Sequence, residues 1–511
     1  MSRYFRPALG IPILLILSFF LYYKVISPLP FYSFFSDPEL PYFLNSVMLA
    51  FEGQVEHTDH PGTGLQLAGA VLSRLLGIAP AEVFTDSAIQ LFRGSWQVVS
   101  LLLTLLLVVF LWRSLEQAGR GWMFVCLLAL LFADYNSLIY WGTFTPEGAF
   151  TVLFIPVMVL LLKRFHKGPQ VRVAGLFGCG LLLGLATTIK LTLWPVTLFV
   201  IGVYAITCSG NLRHRLVRTG LFFGITLVTF LIVGSIFAAD PQAQWAWVFS
   251  LLQNSGRYGH AQEADPGSFL SASQILQWTI SGLRLQNFAT VVPMVLLGWL
   301  AVADALDRKA ALTSRLTALG FLFCFLLTWL AFAKHPYQIK YLLVQTPLFV
   351  GFWYQRLLSG SMPFPKYFHL ATTALLMAVL MTSLVNQRAV HVVTLAIDQA
   401  TRPFVDQAIT TLQPEMLYFS LEVRHPLSAK AFALREARTF DAVFQETLPP
   451  ARIFRERTRQ YTIDSSGRVP IATPVPGSLI FTVNAFNDHR LRLLHADNNA
   501  GLHIYLYPPA G

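Results

Sequence analysis

A series of long apolar runs limits the folds open to this chain. A helix needs about 20 mostly apolar residues to cross roughly 30 Å of hydrocarbon. Only 12% of the residues are charged and the mean hydropathy is +0.56, whereas soluble domains average about 25% charged residues. We predict an all-α polytopic membrane protein with eleven transmembrane helices, near residues 8–26, 95–112, 121–134, 147–162, 173–189, 191–208, 217–237, 288–304, 316–333, 341–358 and 367–385.

The charges between these runs predict the orientation. With the N-terminus in the cytoplasm, the inner segments hold sixteen Lys and Arg residues, and the outer segments before residue 386 hold eight. This bias satisfies the positive-inside rule, which the opposite orientation fails. The net charge of +11 therefore reflects topology, and we expect no nucleic-acid partner.

The N-terminus and the cysteines indicate the compartment. Arg3 and Arg6 precede the first apolar run without a small-residue cleavage site after it, which favours a retained span over a signal peptide. The four cysteines lie in apolar runs without paired spacing, so we expect neither disulfides nor a thiolate metal site. Short loops favour the bacterial inner (plasma) membrane, although an endoplasmic reticulum membrane stays open.

The sequence divides into a membrane domain, 1–385, and a C-terminal domain, 386–511, that an odd number of spans places outside the cytoplasm. In the second domain, residues 424–448 have a helical pattern, and residues 477–486 and 501–508 alternate like strands. A small extracytoplasmic α+β domain is the prediction.

The first outer loop, 27–93, is too long for a simple connection. Apolar residues recur at helical spacing in 39–52 and 64–76, which predicts two helices lying in the membrane interface. Packing of the same helices on the bundle is the alternative.

Two carboxylates, Asp37 and Glu39, follow the first span at the membrane boundary. Ionisable groups that face a cavity there are functional candidates. Asp37 with Pro38 also makes a good helix start, and Glu39 can simply favour the helix dipole. Both interpretations of each acid stay open.

Five segments in this order resemble the GT-C superfamily of glycosyltransferases, in the branch of protein O-mannosyltransferases and lipid A aminoarabinose transferases. The likeness covers roughly residues 8–350, and each segment falls on the predicted outer face. The matching positions are Asp37 and Glu39; His60 and Pro61; Glu147; Gly184, Leu185, Ala186, Thr188 and Lys190; and Lys340, Tyr341, Leu342 and Pro347. Pro38 separates acids that are often adjacent in relatives, and Gly62 replaces a second proline.

The resemblance implies transfer of a sugar from a polyprenyl-phosphate donor to a lipid, glycan or protein acceptor on the extracytoplasmic side. Asp37 is then the general base, and the displacement inverts the anomeric centre. Glu147 is an acceptor-orienting or metal-linked group, with Asp134 as its rival. The resemblance assigns substrate binding to His60, Lys190, Lys340 and Tyr341, the lysines suiting a lipid phosphate. Arg257 is a further candidate because it lies in the largest later outer loop, a Gly-rich segment able to close over the donor; a solvated loop is the alternative.

Metal use stays open. His57, Asp59 and His60 resemble a ligand cluster, but close polar residues in a loop are more often only solvated. Some members of the superfamily need a divalent cation and others do not, so no metal ligand is assigned.

Two other functions are compatible with the sequence. A polysaccharide ligase or polymerase that takes a diphosphate-linked glycan would use Arg257 and His260 in the late outer loop. A lipid or sugar transporter would place its charged or broken segments near the bilayer midplane, whereas the candidates here lie at the outer boundary.

Overall fold

The computed structural model describes residues 6–21, 24, 39–55, 62–83, 85–116, 121–132, 140–168, 171–253, 285–308, 310–334, 345–359, 366–412, 417–420, 451–455, 460–462, 470–471, 476–482, 491–497 and 502–507. The chain forms two compact units. The larger unit comprises Met1–Tyr22, Thr58–Leu65 and Trp96–Arg388, and the smaller unit comprises Tyr23–His57, Gln66–Ser95 and Ala389–Gly511.

The described residues are mostly helical. The helices are α1 (Arg6–Phe20), α2 (Glu39–Glu52), α3 (Thr63–Leu76), α4 (Asp86–Glu116), α5 (Gly121–Phe132), α6 (Pro146–Lys167), α7 (Val173–Thr187), α8 (Trp194–Thr207), α9 (Leu212–Ile236), α10 (Pro241–Gln253), α11 (Leu285–Leu306), α12 (Leu312–Lys334), α13 (Gln345–Ser359) and α14 (Lys366–Leu412).

Four helical segments in the described ranges are long and apolar enough to cross a membrane: Ser87–Leu115, Pro146–Lys167, Leu212–Ile236 and Leu312–Trp329. Large apolar side chains on these helices face outward, among them Leu106, Ile232 and Phe323. Such surfaces suit lipid and are unfavourable in water. A mostly helical membrane protein is therefore supported, and the eleven-span count and the orientation stay predictions.

Helix α13 lies at the centre of the larger unit. Every residue from Gln345 to Leu357 is buried, as expected for a helix enclosed by others. It packs on α5, α6 and α12. A Cβ added to Gly351 would lie 2.9 Å from the Met158 Sδ atom, so α13 and α6 approach closely at this glycine.

Helices α7 and α9 pack through two glycines one turn apart. A Cβ added to Gly180 would lie 2.7 Å from Ile225 Cγ2, and one added to Gly184 would lie 2.6 Å from the Thr226 carbonyl oxygen. Small residues at this spacing let membrane helices approach through their backbones. The two helices, which α8 separates in the sequence, therefore pack tightly against each other in the larger unit.

The described C-terminal strands form one mixed sheet. They are β1 (Leu417–Ser420), β2 (Ala451–Arg455), β3 (Gln460–Thr462), β4 (Pro470–Ile471), β5 (Ser478–Thr482), β6 (Arg492–Asp497) and β7 (Leu502–Tyr507), in the order β4-β3-β2-β1-β5-β7-β6. β1 is parallel to β2 and β5, and the other pairs are antiparallel.

The sheet contains both segments predicted as strands. Residues 477–486 contain β5 and residues 501–508 contain β7, and Ile480 pairs with Tyr505 between them. Leu479, Ile480 and Ile504 are fully buried. The predicted helix over 424–448 lies outside the described residues.

Candidate functional site

Glu147 lies in the first turn of α6, where the sequence fixes the helix start. Thr145 is the N-cap, and its hydroxyl accepts a hydrogen bond from the Gly148 amide at 3.1 Å. Pro146 occupies the first helical position, where its missing amide hydrogen has no cost. Glu147 is 4% exposed. Its carboxylate therefore faces the protein interior at a helix N-terminus, which favours negative charge.

The loop before α6 packs tightly against this turn. A Cβ added to Gly148 would collide with the carbonyl oxygens of Tyr140 and Thr143, so only glycine fits. The Trp96 indole donates to the Thr143 carbonyl at 2.9 Å. A π-helical turn follows at Phe150–Phe154, a feature frequent near functional sites. The loop before Glu147 and the π-helical turn after it thus hold this residue in position.

Lys190 forms an ion pair with Glu147 inside the larger unit. The Lys190 Nζ atom donates to Glu147 Oε1, and the two side chains are 15% and 0% exposed, respectively. The second oxygen, Glu147 Oε2, is buried and accepts no hydrogen bond from the described residues. The Lys190 side chain is therefore partly accessible, and the Glu147 Oε2 atom is able to accept a further hydrogen bond.

Hydrogen bonds hold the turn that contains Lys190 between the end of α7 and the helix α8. The amide hydrogens of Ile189 and Lys190 bond to the carbonyls of Ala186 and Thr187 at 3.3 Å each, which tightens the end of α7. The Thr187 hydroxyl is 2.7 Å from the Thr197 hydroxyl of α8. Lys190 itself is extended, with φ −160° and ψ 136°. This geometry places its Cα between two rigid helices.

The first turn of α3 packs on the same place. A Cβ added to Gly64 would lie 2.7 Å from the Thr188 Oγ1 atom and 2.9 Å from the Leu185 carbonyl oxygen. Gly64 belongs to the segment HPGTG, whose His60 and Pro61 lie outside the described residues. Two of the five sequence segments, around Glu147 and Lys190, therefore meet in the larger unit, and Gly64, four residues after His60, packs against the second of them.

Glu39 lies in the smaller unit, in a separate cluster of charges. Its side chain is fully buried, and its Oε2 atom is 3.5 Å from Arg93 Nε. Lys24 also interacts electrostatically with Glu39 and with Arg93. Glu39 begins α2, where a carboxylate complements the helix dipole. The alternative roles of Glu39, in catalysis or in holding the start of α2, both stay predictions.

The remaining predicted site residues lie outside the described residues: Asp37, His60, Arg257, Lys340 and Tyr341, with Asp134, His57, Asp59 and His260. In the described ranges, no group of three His, Cys, Asp or Glu side chains is arranged to hold a metal ion. The assignments of these residues therefore stay at the level of sequence.

A second buried ion pair joins Asp304 of α11 to Arg356 of α13. The Arg356 Nε and Nη2 atoms donate to the two Asp304 oxygens at 2.6 Å and 3.1 Å, and each side chain is 3% exposed. The charge pattern predicts both residues at the inner ends of their spans, without a pairing between them. Both nevertheless fall within predicted spans, and a charge within a span is by itself a signal for a partner.

No protein-family model, curated protein or solved structure matches the chain in the three comparisons made.

Proposed function

We propose that this protein is a membrane glycosyltransferase that moves a sugar from a polyprenyl-phosphate donor to an acceptor on the extracytoplasmic side. The observation that carries the proposal is the convergence of Glu147, Lys190 and the first turn of α3. Glu147 and Lys190 come from segments far apart in the sequence, and the resemblance to GT-C enzymes assigns both to the active site; α3 begins shortly after a third such segment, His60 and Pro61.

The charge change of the reaction suits Lys190. The donor phosphate is a diester with one negative charge. When the bond from the anomeric carbon to the phosphate oxygen breaks, its electron pair stays on that oxygen, and the phosphate acquires a second negative charge. A fixed ammonium group beside that oxygen stabilises the developing charge in a water-poor site. The 15% exposure of Lys190 leaves part of the ammonium group accessible to a ligand.

Glu147 has two tasks in this proposal. Its Oε1 atom holds the ammonium group of Lys190. Its Oε2 atom, which accepts no hydrogen bond from the described residues, orients the acceptor by accepting from a donor group other than the reacting hydroxyl. Asp37 is the general base: it removes the proton from that hydroxyl as the new bond to the anomeric carbon forms. The role of Asp37 is based on the sequence alone.

The test is transfer of radiolabelled sugar from a panel of polyprenyl-phosphate sugars to endogenous acceptors in membranes. We expect label with the wild type and none above background with Asp37→Asn. Lys190→Met should lower transfer by about 10²–10³-fold, the usual effect of removing one stabilising group. Glu82→Gln and Lys167→Met change exposed residues of the same types and should retain activity at equal expression.

The outcome also separates the competing functions. Full transfer by Asp37→Asn would exclude this residue as the base. Label only from a diphosphate-linked glycan would identify a ligase or polymerase instead. Translocation of the sugar lipid in vesicles, without any product, would identify a transporter.

A further inference from the structure

The helix α2 is enclosed by protein over most of its length. Every residue from Pro41 to Leu49 is buried, which is about two and a half turns of helix. A helix that is buried on all its faces belongs to the interior of a fold, where close packing resists movement. The contacts at its two ends therefore decide where those ends lie.

Two adjacent contacts hold the start of α2 against α4 in the smaller unit. The Glu39 Oε2 atom is 3.5 Å from Arg93 Nε, and the two side chains are 0% and 12% exposed, respectively. The ring centroids of Phe43 and Phe92 are 4.5 Å apart, and both rings are fully buried. Glu39 and Phe43 lie four residues apart on one face of α2, and Phe92 and Arg93 are neighbours in α4. The start of α2 is thus fixed in both position and rotation.

The other end of α2 is held by a different arginine, Arg74 of α3. Its Nε atom donates to the Ala50 carbonyl at 2.6 Å, and its guanidinium carbon lies 4.2 Å from the centroid of the Phe51 ring. Ala50 follows Glu39 by eleven residues, which is about 16 Å along a helix. Arg93 and Arg74 therefore hold opposite ends of the same helix.

The end that Arg93 holds leads directly to the proposed general base. Asp37 is two residues before Glu39 in the sequence, and two residues of chain span at most about 7 Å. A shift of Glu39 therefore shifts the attachment of Asp37. A base must lie within hydrogen-bond distance of the proton that it removes, and a misplacement of about 1 Å can lower a rate about 10²-fold.

We propose that Arg93 is a positioning residue for sugar transfer, and that it acts through Glu39 on the base Asp37. This inference rests on the proposed function. The Glu39 side chain is fully buried against Arg93, so it holds the start of α2 and does not itself contact a substrate. Arg74 stabilises the same helix at the end that is remote from Asp37, and it has no part in the positioning.

The test compares Arg93→Gln with the matched control Arg74→Gln in the membrane transfer assay, per amount of folded protein. Arg93→Gln should lower the rate at saturating donor about 10²-fold and leave the KM for the donor unchanged, because the base is displaced and the donor site is not. Lys24 remains as a cation that interacts with Glu39, so the buried carboxylate keeps a compensating charge. Arg74→Gln should retain the wild-type rate and KM.

A double-mutant cycle with Asp37 separates positioning from a general loss of structure. The cycle uses Arg93→Lys, which keeps a positive charge beside Glu39 but not the planar guanidinium group. Asp37→Glu displaces the base carboxylate by one methylene group. If Arg93 acts through Asp37, the two losses do not multiply, and R93K/D37E should transfer sugar within about threefold of the slower single variant.

Label from the wild type and none from Asp37→Asn would establish the proposed function, so that the arginine variants then test this inference alone. A wild-type rate in Arg93→Gln would overturn it. Equal losses in Arg93→Gln and Arg74→Gln would also overturn it, and so would losses that multiply in the cycle. No label from the wild type with any polyprenyl-phosphate sugar would overturn the proposed function and this inference together.

Discussion

The ion pair between Glu147 and Lys190 places two charges where the protein contains little water. The two side chains are 0% and 15% exposed. Breaking a buried pair by removing one partner is strongly destabilising, because the other charge stays buried without compensation. Replacing both partners by uncharged residues is often close to neutral. The pair therefore allows its structural and functional roles to be separated.

We expect Glu147→Gln and Lys190→Met each to lower the free energy of unfolding by about 3–5 kcal/mol. The double variant E147Q/K190M should regain most of this stability, because no charge is left without its partner. It should nevertheless transfer sugar about 10²–10³-fold more slowly than the wild type, because the group that stabilises the phosphate is absent. Thermal unfolding in detergent measures the first effect, and the membrane transfer assay measures the second.

A double variant as unstable as the single variants would show that the pair does not act as a unit. A stable double variant with full transfer activity would remove both residues from the proposed mechanism.

The sequence identified Glu147 and Lys190 as candidate site residues, but it did not indicate that they contact each other. Glu147 and Lys190 were expected on one face of the membrane, but their ion pair depends on how α6 and α7 pack, which no local pattern encodes. Arg93 carried no motif, and only the fold brings it to Glu39. Asp304 and Arg356 were not predicted to pair either, although both lie within predicted spans, where a charge is a signal for a partner.

Arginines near the predicted inner ends also complete the helices before them. Arg215 donates from Nε and Nη2 to the Ala205 carbonyl at 3.1 Å and 2.6 Å, and Arg315 Nε donates to the Ala305 carbonyl at 3.1 Å. In both cases an arginine early in one helix reaches a carbonyl in the last turn of the preceding helix. Such contacts satisfy carbonyls that have no partner within their own helix. Arg215 and Arg315, which contribute to the predicted orientation, thus also bond to the ends of the helices before them.

The close packing of α7 on α9 depends on the absence of side chains at two positions of α7, Gly180 and Gly184. We expect Gly184→Leu to force these helices apart, because a Cβ there meets the backbone oxygen of Thr226, which cannot move away as a side chain can. Overpacking usually costs about 1–3 kcal/mol. Gly178→Leu on the same helix is the control, since a Cβ there meets no atom within 4 Å. Thermal unfolding and folded yield in detergent measure the difference.

Equal losses in the two glycine variants would mean that leucine at any position of α7 is harmful, and that close packing on α9 is not the cause.

The boundary of α14 shows why helices are harder to predict than spans. The sequence predicted a span over 367–385, and the helix continues to Leu412. Polar residues such as Asn386, Gln387 and Arg388 end an apolar run, but they are acceptable in a helix outside lipid. Hydropathy therefore locates the part of a helix that lies in the membrane, whereas the helix end requires its own signal.

The composition and the apolar runs were sufficient for the class of protein and its mostly helical membrane part. Alternation in residues 477–486 and 501–508 was sufficient for strands β5 and β7. The order of the strands could not be predicted from the sequence, because the parallel pairing of β1 with β2 and β5 joins segments that are distant in the sequence. Pairing of this kind depends on tertiary packing more than on local propensity.

The positive-inside count makes a prediction about the protein in its membrane. A cysteine in place of exposed Glu52 should react with a membrane-impermeant maleimide in intact cells. A cysteine in place of exposed Lys167 should react only after the membrane is opened. The unmodified protein, labelled in parallel, gives the background from its four native cysteines, of which Cys208 and Cys324 are buried. The opposite labelling pattern would reverse the predicted orientation and place Glu147 on the cytoplasmic side.

The Asp304–Arg356 pair has a consequence for the synthesis of the protein. The two residues are 52 positions apart, which is about 3–10 s of translation at 5–20 residues per second. During this interval Asp304, two residues before the end of α11, has no partner yet. Its position near the helix end limits the cost, since a charge costs about 3 kcal/mol only at the centre of an inserting helix. The buried pair therefore forms only after α13 has emerged from the ribosome, so that two helices separated by α12 reach their final packing together.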